Sequence, residues 1–194
     1  NAVFEKLTAH TFISFLQGEE LDLLETKRKI LKNPRKKLDI ISAHQKKYFW
    51  IQNNYVDDNI LQNEFFEKRL NSIDNNKISQ KMATIRNVPQ NHKDIKVRLY
   101  RDLKISSEIK KIIELTDLFN FLQDERKKST FWATRYFSLF LDELSSRVDY
   151  QKDNLRYSLP SEFVDILNNG MQEKELSKRR IDGCVVFWYK DEYQ

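Results

Sequence analysis

The sequence predicts an all-α fold: a multi-helix bundle with one long central helix and a single short β-strand near the C-terminus. Three glycines and three prolines occur in 194 residues, whereas a sandwich or barrel needs a turn every ten residues or so. Hydrophobic residues make up 40% of the chain, with 13 Phe, 8 Tyr and 3 Trp, enough to leave the aromatic-poor class that stays disordered. Finally, the stretch from Ser106 to about Tyr150 contains neither Gly nor Pro. A helix of that length spans roughly 60 Å.

Residues 1–17 are apolar enough to pack, through Val3, Phe4, Leu7, Phe12, Ile13, Phe15 and Leu16, but carry no clean period. From Gly18, apolar or stem-bearing residues recur at three- and four-residue steps (Leu21, Leu24, Arg28, Leu31) and stop before Asn33-Pro34, which predicts a helix. A second helix places Leu38, Ile41, Gln45 and Tyr48 on one face and leads into Tyr48-Phe49-Trp50-Ile51. Asp57 and Asp58 are the expected caps for a third, carrying Leu61, Phe65, Phe66 and Leu70. Residues 74–104 are mostly polar and predict two thin amphipathic helices interrupted near Pro89, burying Ile78, Met82, Ile85, Ile95, Leu99 and Leu103.

Ser106 or Ser107 caps the long helix. Ile112, Leu115, Phe119 and Leu122 read as its buried seam, which then meets Arg126 and Ser129 before returning to Ala133, Phe137 or Phe140, and Leu144. The apolar stripe thus has a polar hole, surrounded by Asp124, Glu125, Arg126, Lys127, Lys128, Ser129 and Thr130. If the seam is buried throughout, Arg126 needs an acidic partner or an anionic ligand, because isolated charge in a dry interior is costly. The plainer reading is that the helix emerges into solvent for two turns. After it, Ser161 to Asn169 predicts a short helix with Gly170 as a left-handed C-terminal residue, and residues 172–182 a polar helix closing at Gly183. Cys184-Val185-Val186-Phe187-Trp188-Tyr189 reads as the single strand.

Several chemistries are excluded. Glycines at 18, 170 and 183 alone cannot build a Gly-rich phosphate loop. His10, His44 and His92 lack the i, i+4 spacing of a helical metal pair, so no metal ligand is nominated. The single cysteine, Cys184, precludes an intrachain disulfide. With no long apolar run and no basic-then-apolar N-terminus, the expected location is cytoplasmic. A net charge of +5 and an isoelectric point near 9.1 raise the question of nucleic acid. However, 34 basic residues are interspersed with 29 acidic ones, and the short stretches at 27–29, 35–37, 110–111, 126–128 and 178–180 read as solvated helix faces. His44, Trp50, Asn53, Asn54 and Tyr55 combine aromatic faces with amides. That is the composition of a ligand pocket and equally of a helix end packed on its neighbours.

The segment from His44 to Tyr55, with its Tyr-Phe-Trp-Ile and Asn-Asn-Tyr, resembles a block of the phosphoenolpyruvate-utilising phosphotransferases, the group of phosphoenolpyruvate synthase, pyruvate phosphate dikinase and rifampicin phosphotransferase. Leu122-Gln-Asp-Glu-Arg-Lys127, Asn154-Leu-Arg-Tyr157, Leu159-Pro-Ser-Glu162 and Arg179-Arg180 follow in a similar order. The likeness covers residues 38–194, with 74–104 unmatched. It implies the helical region that such enzymes hold between an ATP-grasp domain and a swivelling phosphohistidine domain, with residues 1–183 as a substrate-positioning or linking domain and 184–194 as the strand entering the swivelling domain. The flanking domains would be its partners, with ATP and Mg in the parent protein and no cofactor in this chain. A complete catalytic site is not expected here. On this resemblance Arg126 and Lys127 neutralise phosphoryl charge, Asp124 or Glu125 orients them or an acceptor hydroxyl, and His44, Trp50 and Asn54 line the acceptor side, leaving positioning as the chain's contribution. A non-catalytic interaction or spacer module is the alternative, and nucleic-acid binding the third reading.

Overall fold

The computed structural model describes residues 2–55, 58–168, 170–186, 188–189 and 192–193. The helices are α1 (Ala2–Thr8), α2 (Phe15–Lys32), α3 (Lys37–Tyr48), α4 (Asn63–Asn71), α5 (Ile78–Asp102), α6 (Ser107–Val148), α7 (Lys152–Leu155), α8 (Phe163–Leu167) and α9 (Glu173–Asp182). The all-α expectation holds. The six-residue strand does not form: Cys184–Val186 carry no strand, and the only pairing among the described residues is Trp188–Tyr189 against Glu192–Tyr193, antiparallel with Trp188 opposite Tyr193. Branched and aromatic residues favour strands only where a ladder and a packing face exist. The ladder here is only two residues long on each side.

Two compact units divide the chain at Thr134/Arg135, inside α6, a boundary the sequence reading did not mark. The first unit is organised by α2, α3 and α4 around Leu23, Ile41, Tyr48, Trp50, Ile51, Phe66 and Leu70. A second cluster joins Leu24 of α2 to Ile78, Met82 and Ile85 of α5. In the second unit, Leu141 and Leu144 of α6 pack with Leu155, Ile166 and Leu176.

Several boundaries differ from expectation for local reasons. Helix α2 begins at Phe15, ahead of Gly18, because Ser14 caps it: its hydroxyl accepts the Gln17 amide while Gln17 Oε1 accepts the Ser14 amide at 3.1 Å. Helix α4 starts from Gln62, with no side-chain cap. Asp58 therefore lies too early to cap it, and Asp57 falls outside the described residues. Helix α5 is one continuous helix containing Pro89. Proline removes one ladder bond, but Ile78, Met82 and Ile85 are buried before it and Lys96 after it, so packing on both sides carries the helix through. Gly170 is outside the left-handed region; only Gly183, the residue after α9, adopts positive φ among the described glycines, at 78°. Ser161 lies within a short 3-10 turn, whose start is closed by Glu162 Oε2 accepting the Leu159 amide.

The buried faces also shift. On α2 they are Glu19, Leu23, Leu24 and Thr26, while Leu31 is exposed; on α3 they are Ile41, His44 and Tyr48, while Leu38 is exposed. On α6 the expected seam is turned outward: Ile112, Leu115, Phe119 and Leu122 are at least half exposed, and the inward positions are Ile113, Ser138, Leu141 and Leu144. Arg126 is exposed as well. Its setting corrects the buried-charge reading.

Candidate functional site

Two aspartates on α6 define where the N-terminal segment lies. Asp117 Oδ1 accepts the Thr11 amide at 3.0 Å, its other oxygen takes the Thr11 hydroxyl, and Lys96 Nζ stands 3.6 Å away. Seven residues on, two helical turns along the same face, Asp124 Oδ2 accepts the Phe15 amide at 2.8 Å. A carboxylate at a helix start satisfies an orphan amide and complements the helix dipole, so Asp124 does for α2 what a local cap does, from a distant element. Phe12 packs edge-on against Phe121, and Phe15 against Phe131.

Between these two anchors lies an open cleft of about 460 Å³ lined by His10, Phe12, Ser14, Asn120, Gln123, Asp124 and Lys127. Its chemistry is one cation, two amides, a hydroxyl, an imidazole and the Asp124 carboxylate, one oxygen of which is engaged by the Phe15 amide. Nε2 of His10 is buried without a hydrogen-bond partner among the described residues, while the His10 carbonyl accepts from His92 Nδ1 at 2.7 Å. Such a donor set suits a polar, anionic ligand. No metal-binding group of three or more His, Cys, Asp or Glu side chains gathers among the described residues.

Of the seven nominated residues, Asp124 and Lys127 line this cleft. Arg126, one position and about 100° around the helix, instead lies with its guanidinium 6.0 Å from the Tyr55 ring centre. Glu125 pairs with Lys128 at 3.1 Å. Trp50 belongs to the core, its indole donating to the Lys47 carbonyl at 2.9 Å. Asn54 is exposed, and its carbonyl accepts from Thr134.

His44 is also a packing residue, 6% exposed. Its Nδ1 is 3.2 Å from the Thr26 hydroxyl and its Nε2 3.1 Å from Glu19 Oε1. Glu19, 2% exposed, receives both arms of Arg69 at 2.6 and 2.7 Å. Burial works to raise the Glu19 carboxyl, but the bonds from His44 and Arg69 outweigh it and hold the group below its ordinary range. Beside this network a cleft of about 430 Å³ is bordered by Asp22, Thr26, His44 and Lys47. Lys47 Nζ meets Asp22 Oδ2 at 2.5 Å, and the Tyr48 hydroxyl donates to the same oxygen at 2.7 Å. The nominated residues thus fall into separate places.

No family model, curated protein or solved structure matches the chain.

The Asn53–Tyr55 segment lies against α6. Asn53 Nδ2 donates to the Phe131 carbonyl at 3.2 Å, Tyr55 packs edge-on against Phe131, and Thr134 reaches Asn54. In the second unit Arg179 grips Glu162 through both terminal nitrogens at 2.8 and 2.6 Å and donates to the Tyr157 carbonyl, while Arg180 donates to Asn154 Oδ1 at 3.1 Å. The bond from Arg179, with a backbone amide behind it, holds the Glu162 carboxyl below its ordinary range. His10, Ser14, Asn120 and Asp117 were not nominated from the sequence. Only Ser14, three residues before Gln17 in a capping-box pattern, left a local signal.

Proposed function

We propose that this chain is the helical acceptor-binding or domain-linking module of a phosphoenolpyruvate-synthase-like phosphotransferase, which passes phosphoryl groups through a phosphohistidine domain outside the chain. The observation that carries the reading is spatial: Asn53-Asn54-Tyr55 packs on α6 at Arg126, Phe131 and Thr134, and Asn154, Tyr157, Glu162, Arg179 and Arg180 form one bonded group. Lys127, with Ser14, Asn120 and Gln123 around it, would receive the anionic group, and Asp124 would hold the cleft's wall. On the resemblance, ATP and Mg²⁺ belong to the parent protein, outside this chain. Residues 184–194 would lead into the swivelling domain.

Nucleic-acid binding is disfavoured because each basic stretch has members already engaged: Arg28 with Glu25, Lys37 with Glu67, Lys110 over the Tyr100 ring, Lys128 with Glu125, and Arg179 with Glu162. The interaction-module reading has a specific support in the apolar outer face of α6. The test is the open reading frame on either side of Asn1 and Gln194. An upstream ATP-grasp domain and a downstream Thr-x-His motif are expected, and in that full-length protein Lys127→Ala should spare phosphohistidine formation but slow its discharge to the acceptor. An open reading frame encoding neither domain overturns the proposal.

A further inference from the structure

The outward face of α6 has a pattern that specifies what can cover it. Ile112, Leu115, Phe119 and Leu122 are spaced three, four and three residues apart, and they are 61, 53, 62 and 50% exposed. Continuing the same alternation places Glu108 before them and Arg126 after them, both exposed. Sustained three-four spacing marks the seam of a helix-on-helix pairing. Leu118 and Ile109 flank it and are also half exposed.

We infer that the Glu108–Arg126 segment of α6 pairs antiparallel with the same segment of a second copy of this chain. Two-fold pairing is self-complementary, so each residue's counterpart is determined by the register. Setting Leu115 against Phe119 of the second copy places Ile112 against Leu122 and, at both ends, Glu108 against Arg126. The charged ends of the seam then meet their opposites. Lys111 and Glu125, on one flank, fall opposite each other in the same register, and Leu118 meets its own copy beside the axis. Parallel pairing would instead stack Arg126 on Arg126 and Glu108 on Glu108. Like charges at such positions are destabilising. The six half-exposed Leu, Ile and Phe side chains leave on the order of 100 Å² each, about 600 Å² per partner, which is the lower edge of what a specific interface buries. This surface is separate from the His10–Lys127 cleft, so the inference does not rest on the phosphotransferase reading.

Sedimentation velocity on the chain with Cys184→Ser, at tens of micromolar, should show a dimer. Arg126→Glu and Glu108→Arg should each weaken dimerisation at least tenfold, and the double exchange should restore it. All three variants should keep the parent's helical circular dichroism, because the side chains are exposed. Leu118→Cys in the same background should cross-link to itself under mild oxidation, whereas Val97→Cys, exposed on α5, should not. A monomer at all concentrations would overturn the inference and leave a different partner on this face. A dimer indifferent to the single charge reversals, or a folded double exchange that stays monomeric, would overturn it too.

Discussion

The Asp124 carboxylate accepts the Phe15 amide at 2.8 Å, across 109 positions of sequence. It serves α2 as a cap supplied from another helix. Asp124→Ala should cost about 1 to 2 kcal/mol in urea unfolding, with Asp124→Asn recovering part of it. A variant as stable as the parent would show that Ser14 suffices alone.

The Glu19, His44 and Arg69 network should be costly to break. Arg69→Met leaves a buried carboxylate without its bidentate partner, a loss of about 3 to 5 kcal/mol, whereas an exposed-pair variant such as Arg101→Met should change stability by less than about 1 kcal/mol. Equilibrium denaturation distinguishes them.

The same network predicts acid sensitivity with a definite sign. The Glu19 carboxyl sits lower in the folded state than its ordinary value of 4.5, so its contribution is complete above that value and is lost as pH falls through the lower folded one. Glu19→Gln should therefore be less stable near neutrality and show a shallower decline below pH 4.5. A decline as steep as the parent's would place the acid-sensitive group elsewhere.

Tyr48 gives the opposite limb. Burial, then its bond to Asp22, pushes the phenol from 10.0 up to about 12. Folding thus favours the neutral form, and stability present below pH 10 should be lost between 10 and 12. Tyr48→Phe should flatten that loss. Ultraviolet titration of the folded protein should show the Tyr48 phenol missing from the ordinary range, beside Tyr100, which burial also raises, and Tyr48→Phe should remove the later of the displaced steps.

Pro89 sits inside α5 without ending it. Pro89→Ala restores an amide to the ladder and should stabilise the protein by about 2 kcal/mol, read as a rise in urea midpoint. A fall would mean the proline's restriction of the unfolded chain outweighs the missing bond.

By itself the sequence determined the helical class, the helices around 38–48, 61–70 and 173–182, and the uninterrupted reach of α6, because glycine and proline scarcity and three-to-four spacing act locally. It also marked Ile41, Tyr48, Phe66, Leu70, Ile78, Met82 and Ile85 as buried. Only tertiary structure decided which face of α6 turns inward. The seam 112, 115, 119 and 122 is periodic whether it meets this chain's core or another helix, and the inward face is instead selected by Asp117 and Asp124 holding the backbone at Thr11 and Phe15. Tertiary structure likewise put Glu19, Thr26 and His44 inside, since a polar residue can be buried once distant partners satisfy it. Periodicity reports that a face is apolar; the partners that cover it, or the charges that turn it away, come from elsewhere in the fold.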